Sequence, residues 1–150
     1  MAFGHDFEHN IADMMIGLDS IKWVDSCVYL GVELIAGKVF TTCAERNRRK
    51  FCAAVNSVIT NGGFLSEECL MEIIQKQCVP ILMYGSGIWK LNNESVRKLG
   101  VTLNRAVRRI FGFRDYESVK DILFGFNMLP VNHVGLNRAQ RFIIGLRPML

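Results

Sequence analysis

The chain has 150 residues, of which 50% are apolar and 10% aromatic, a length and composition typical of a folded domain and not of a disordered chain. Its longest strongly apolar run has six residues (79–84), whereas a membrane-spanning helix needs about 20, and its N-terminus lacks the basic and apolar segments of a secretory signal. The formal net charge of +4 is unevenly distributed, because residues 1–37 carry −5 and residues 38–150 carry +9.

The five cysteines are an odd number without a CxxC pair, which argues against a disulfide framework. Most of them fall at apolar positions of predicted helices, where a reduced Cys behaves as a small hydrophobe. We therefore expect an intracellular protein of the nucleus or cytoplasm, not secreted and not associated with a membrane.

The N-terminal part, residues 1–37, is predicted to be a polar tail followed by a small β-hairpin in residues 13–35. The runs 14–18 and 21–23 resemble strands, and Asp19-Ser20 between them is a turn signal. Apolar and other residues then alternate through Val28–Val32, which predicts a strand, and Gly31 within it indicates a bulge or a close backbone approach.

The rest of the chain, residues 38–150, shows helical patterning. A first helix is predicted over 39–60 and ends at 61–63, because Gly adopts the left-handed conformation after a helix without a Cβ penalty. Ser66 is the predicted cap of a second helix. Pro80 is expected to kink or break that helix near Gln77.

Three more helices are predicted further along. The first begins at Asn92 or Asn93 and ends at Gly112, and its narrow apolar seam consists of Val96, Leu99, Leu103, Val107 and Ile110. The second covers 117–124 and ends at Gly125, and the last runs from Asn132 to about Ile144. The expected fold is mainly α: a bundle of about four to five helices with a small N-terminal β-hairpin. Every predicted connection is short and none reads as a domain linker, so both parts are expected to form one structural unit.

Candidate catalytic groups are few. The chain has no Asp-Asp pair and no Gly-rich phosphate loop, and Glu67-Glu68 begin a helix, where the dipole accounts for them. His133 is isolated and is interpreted as a neighbour of a helix cap. The densest cluster of residues that could ligate a metal lies at the N-terminus and is interpreted as a solvated tail. It consists of His5, Asp6, Glu8 and His9. We therefore predict no catalytic residue, no metal site and no cofactor in this chain.

Two basic clusters are better candidates for a binding site, since cations one helical turn apart can follow a phosphate backbone. The alternative is a solvated helix face and, for Arg105 and Arg109, a favourable position near the negative end of the helix dipole. The predicted nucleic-acid-binding residues are Arg46, Arg49, Lys50, Arg105, Arg108 and Arg109.

Four segments in this order resemble the region after the catalytic core in reverse transcriptases of non-LTR (LINE-type) retrotransposons. The similarity covers residues 14–145 approximately. The segments are Val24–Val32 with its Tyr-Leu-Gly motif, Cys78–Trp89, Asn104–Phe111, and Ser118-Val119 with Leu129-Pro130. The second departs from the family pattern at Gly87, where the family usually carries an acid.

The resemblance implies a fragment of an RNA-directed DNA polymerase from a transposable element. Tyr29, Leu30 and Gly31 would belong to the primer grip, and residues 38–150 would form a thumb-like bundle holding an RNA/DNA template–primer duplex. The metal-binding Asp pair of the palm is absent, so the chain is not expected to be an enzyme on its own, and Mg²⁺ would serve only the full parent enzyme.

Two alternatives remain open. In the first, the chain is a non-catalytic helical interaction module or a decayed element remnant. Its exposed apolar surface would then bind the missing palm and fingers or another protein, and the mean hydropathy of +0.20 favours such a surface. A third hypothesis, an independent enzyme using His5, His9 or His133, has little support in the sequence.

Overall fold

The computed structural model describes residues 14–39, 41–87, 93–131 and 133. The chain divides into two compact units, residues 1–43 with 89–91 and residues 44–88 with 92–150. We call them the β unit and the helical unit. The predictions for residues 1–12, including His5, Asp6, Glu8 and His9, and for the last helix from Asn132 lie outside the described residues.

The first two strands of the β unit form a hairpin. Strand β1 (Met14–Ile16) pairs antiparallel with β2 (Asp19–Ile21), and the turn lies at residues 17–18. The predicted turn at Asp19-Ser20 is therefore wrong, since both residues pair in β2. Gly17 has a φ of +63°, which costs nothing without a Cβ, and this places the turn two residues earlier.

A second, three-stranded antiparallel sheet follows, with β4 in the middle. It consists of β3 (Ser26–Tyr29), β4 (Val32–Ile35) and β5 (Thr41–Cys43). The predicted continuous strand through Val28–Val32 is wrong, because the chain reverses there and Tyr29 pairs with Val32.

The turn between β3 and β4 explains that error. Leu30 and Gly31 have φ of +47° and +78°, and two successive positive values are the requirement of a type I′ hairpin turn. Gly31 is thus a turn residue and not a bulge. The alternation of apolar residues simply continues across the turn, so periodicity alone could not reveal it.

Helix α1 (Glu45–Asn61) begins the helical unit and starts later than predicted. Residues 41–43 pair with 33–35 as strand β5 instead, as their β-branched threonines favour. The helix ends at Gly62 as predicted, but for another reason: φ is −97°, and a Cβ there would lie 2.7 Å from the Val58 carbonyl oxygen and from Leu70 Cδ2. Close approach, not a left-handed conformation, requires this glycine.

Ser66 caps the next helix as predicted, with its Oγ accepting the Cys69 N–H at 3.4 Å. Helix α2 (Glu67–Ile73) leads through a π-helical turn (Ile74–Cys78) into α3 (Val79–Leu82). The chain stays helical near Gln77, where a kink or break was predicted, but the π turn interrupts the α-helical hydrogen bonding at this place. The π turn starts a new α register at Val79, so Pro80 falls in the first turn of α3, where its missing N–H leaves no bond unmade.

Helix α4 (Asn93–Ile110) carries the predicted apolar seam, which is buried: Leu99, Leu103, Val107 and Ile110. It ends at Gly112, where φ is +64° and the Phe113 N–H bonds to the Arg108 carbonyl, as in a Schellman motif. Helix α5 (Lys120–Gly125) is shorter than the predicted 117–124 and includes the glycine that was expected to end it.

The helical unit packs around one core, in which α1 contacts α3 and α4, and α2 contacts α4. Its fully buried side chains include Phe51, Met71, Ile74, Leu82, Leu99 and Val107. The described chain is mainly helical as predicted, but five strands in two small sheets replace the single expected hairpin. None of the described helices is both long enough and apolar enough to traverse a bilayer.

Candidate nucleic-acid interface

The first basic cluster lies on α1, where Arg46, Arg49 and Lys50 are all exposed. Its neighbour Arg48 is different, since its Nη2 and Nε bond both carboxylate oxygens of Glu45 at 2.6 and 2.8 Å. The hydrogen bond from Arg48 is the main cause that lowers the pKa of the Glu45 carboxyl. Arg49 also lies near Glu45, with its Nε 3.9 Å from Oε1. Because a helix turns by about 100° per residue, Arg46 and Lys50 lie on the side of α1 opposite to Arg48.

Two arginines of α4 face α1. Arg105 and Arg109 are exposed, and Arg109 Nη1 donates to the Asn56 Oδ1 of α1. This hydrogen bond joins the C-terminal part of α4 to the middle of α1, and so fixes the position of the Arg109 guanidinium. Because the two arginines are four residues apart, they lie about 6 Å apart along the helix axis.

Between the two helices lies a groove with a volume of about 150 Å³. Its floor is apolar and includes Phe51, Val55 and Ala106, while arginines stand along both walls. No acidic side chain lines it within the described residues. The groove and its cationic rim are lined by Arg48, Phe51, Cys52, Val55, Asn56, Thr102, Arg105, Ala106 and Arg109.

Arg108 does not belong to this surface. It is half-buried, and its Nε donates to the Glu117 carbonyl at 2.9 Å, a contact that holds the loop after α4. A helix turns by about 100° per residue, so Arg109 follows Arg105 on one face while Arg108 points to another. The structure thus separates the predicted trio into a pair and a single residue.

Arg48 and Asn56 were not among the predicted site residues. Their position beside Arg105 and Arg109 depends on how α1 packs against α4, which no local pattern encodes. The available signal was the spacing of 48, 52 and 56, since residues four apart lie on one helix face.

The predicted primer-grip residues lie in the β unit. Tyr29, Leu30 and Gly31 form the end of β3 and the turn into β4, and the side chains of Tyr29 and Leu30 are 65% and 74% exposed. An exposed aromatic and an exposed apolar side chain at a hairpin tip are available for contact with a ligand or a partner.

Comparison of the chain with protein-family models, curated proteins and solved structures gives no match. Function must therefore be argued from the residues and their geometry. Among the described residues, no three His, Cys, Asp or Glu side chains are grouped as a metal site. His133, the described histidine, is exposed. The α1–α4 surface is the arrangement with the clearest chemical preference, which is for anions.

Proposed function

We propose that this chain binds the sugar–phosphate backbone of an RNA/DNA duplex through its α1–α4 basic surface, defined as Arg46, Arg49, Lys50, Arg105 and Arg109. In this proposal it is the thumb-like part of a LINE-type reverse transcriptase and has no catalytic activity on its own. The observation that carries the proposal is the packing of α1 beside α4, which places Arg105 and Arg109 across a groove from Arg48. The other α1 cations, 55 to 63 residues before those of α4 in sequence, lie beside this groove or on the outer side of α1.

The charge balance of this surface supports binding to a polyanion. Within the described residues, Glu45 is the acid that contacts these cations, and it is already bonded to Arg48. Phosphate contacts release condensed counterions, so several cations on adjacent helices give salt-dependent affinity without sequence specificity.

The more specific assignment rests on the resemblance. The Tyr-Leu-Gly motif lies in a hairpin in that family, and here Leu30-Gly31 form a hairpin turn. The remaining segments follow in the family's order. In this reading the β3–β4 hairpin marks the end of the catalytic part of the parent enzyme, and the helical unit follows it.

The first test measures binding to a 20-base-pair RNA–DNA hybrid by fluorescence anisotropy between 50 and 400 mM salt. The variant Arg46→Gln/Lys50→Gln/Arg105→Gln should weaken binding roughly tenfold to a hundredfold at 0.1 M salt. It should also make the slope of log K against log[salt] shallower by about 2 to 3, because each lost phosphate contact removes about 0.9.

The control variant Lys76→Gln/Arg97→Gln/Lys120→Gln changes the net charge equally but leaves the α1–α4 surface intact. It should keep the wild-type slope. Equal weakening by both variants, or a wild-type slope near zero, would show that no duplex site exists on this surface.

A second candidate function, protein interaction, is favoured by the β1–β2 hairpin. Met14, Met15, Ile16 and Leu18 are 61%, 60%, 69% and 98% exposed, so apolar side chains face outward on both sides of this ribbon. Two-stranded ribbons are marginal alone, and exposed apolar surface favours a partner such as the missing palm.

Size-exclusion chromatography with light scattering tests this candidate. Without nucleic acid, the wild-type chain should self-associate as its concentration rises, and Met15→Lys/Leu18→Lys should shift it toward monomer. A wild-type monomer at all concentrations would count against this candidate and leave duplex binding untouched.

A further inference from the structure

A second cavity in the helical unit lies between α4 and the segment 118–131, with a volume of about 560 Å³. Pockets that bind small molecules commonly have about 300–1,000 Å³ and a mainly apolar lining with a few polar groups. This cavity has that character, since Val101, Leu103, Val119, Leu123 and Val131 contribute to its lining. The α1–α4 basic surface shares none of its residues with this cavity.

Three cations line the cavity, and two of them, Arg108 and Lys120, lie toward one end of it. The bond from Arg108 Nε to the Glu117 carbonyl places this guanidinium beside the start of the segment, where Ser118 and Lys120 follow and also line the cavity. Arg108 has no further hydrogen bond within the described residues. The Glu117 carboxylate accepts the Arg114 N–H and is not part of the lining.

The rest of the lining extends along α4 away from this end. Arg97 lies eleven residues before Arg108, about 16 Å along the helix axis, and Asn104 lies between them on the same side of the helix. The cavity is therefore elongated, with Arg108 and Lys120 toward one end, Arg97 toward the other, and apolar walls between them.

We propose that this cavity binds a small amphiphilic anion, with a carboxylate or phosphate head between Arg108 and Lys120 and an apolar body along α4 and α5. Within the described residues no acidic side chain lines the cavity, so the two cations lack a counter-charge there. Residues 134–150, which follow in sequence, contain three arginines and no acid, so their side chains offer none either. The apolar walls favour a ligand with an apolar body over a plain inorganic anion.

Isothermal titration calorimetry with four probes of equal chain length tests the proposal. Dodecanoate and dodecyl phosphate, below their micelle concentrations, should bind one per chain with unchanged helicity, while dodecyltrimethylammonium and dodecanol should bind at least tenfold more weakly. If only one of the two anions binds, the result identifies the head group as a carboxylate or a phosphate. Binding of either anion or of both supports a site for an amphiphilic anion.

Two variants locate the site. Lys120→Gln should weaken anion binding about tenfold, by removing one charged hydrogen-bond donor from the head. Gly100→Leu should block the apolar part, because a Cβ at Gly100 meets no atom within 4 Å and the added side chain can occupy the cavity without a backbone clash. Lys76→Gln, with the same charge change on the π turn, is the control and should bind as wild type.

Neither Lys120→Gln nor Gly100→Leu should change RNA–DNA binding by more than about twofold, so this proposal and the duplex site fail independently. The proposal is overturned if neither anion binds up to 1 mM, if the cationic probe binds as tightly, or if Gly100→Leu has no effect. Binding of many anions with loss of helicity also overturns it, since that indicates detergent unfolding.

Discussion

At the scale of single residues, three arginines within one stretch of α4 have different environments. Arg105 is exposed beside α1, Arg109 bonds to Asn56, and Arg108 is half-buried and bonds to the Glu117 carbonyl. The same guanidinium group therefore lies on an exposed surface in Arg105, joins two helices in Arg109 and holds a loop in Arg108. The partner of each guanidinium, and not the residue type, decides which role it has.

Cysteine reactivity is a prediction at this scale. Cys78 is 2% exposed, and burial raises the pKa of its thiol, whereas Cys69 is exposed. Iodoacetamide at pH 8 should modify Cys69 at least about tenfold faster than Cys78 in the folded protein, since the reactive species is the thiolate and it must be accessible. Mass spectrometry of quenched digests measures both rates.

The same burial has a consequence for stability. A thiol pKa that is higher in the folded than in the unfolded chain contributes stability at pH values below the unfolded pKa. This contribution is lost as the pH rises from the unfolded pKa through the folded pKa.

Denaturation in urea is the control for the alkylation experiment, and it should abolish the difference in alkylation rate between Cys69 and Cys78. Equally fast modification of Cys78 and Cys69 in the folded protein would contradict the buried position of Cys78.

At the scale of elements, most helix signals in the sequence were local and correct. Ser66 begins α2, and Gly112 ends α4 with a left-handed conformation. The errors concern positions where a partner elsewhere decides. Thr41–Cys43 belong to a strand because β4 pairs with them, and Pro80 is accommodated because the preceding π turn changes the register.

A buried hydrogen bond between elements provides a second prediction. The Asn47 side chain, 7% exposed in the first turn of α1, donates its Nδ2 to the Tyr84 carbonyl at 2.7 Å, which joins α1 to the turn after α3. Asn47→Ala should lower the free energy of unfolding by about 1–3 kcal/mol, since the buried hydrogen bond from the Asn47 amide to the Tyr84 carbonyl is lost. Urea unfolding followed by circular dichroism measures this difference.

The matched control is Asn61→Ala at the other end of α1. Its amide donates to Ser57 Oγ at 3.2 Å on an exposed surface, and its replacement should change stability by no more than about 0.5 kcal/mol. Equal urea midpoints for Asn47→Ala and the wild type would show that the link to Tyr84 does not stabilise the fold.

At the scale of the whole molecule, charge and burial divide the chain. The acidic N-terminal residues precede a basic helical part, and the helical unit has its own core, built from α1 to α4. Within that unit, one group of cations belongs to the α1–α4 basic surface and another, including Arg108 and Lys120, lines the cavity, while Lys76 and Lys98 pair with Glu72 and Glu94. The net charge of +4 alone shows neither the uneven charge along the chain nor the positions of these cations.

The sequence by itself determined the helical character of most described residues between 45 and 131, the apolar seam of α4 and the excess of positive charge, because these depend on composition or on neighbours within one or two turns. The tertiary structure alone decided that Leu30-Gly31 is a turn, that Gly62 is needed for close approach to Leu70, and that Arg105 and Arg109 join α1 while Arg108 does not. Those features depend on contacts between residues far apart in sequence, and their physical cause is packing, which no local window contains.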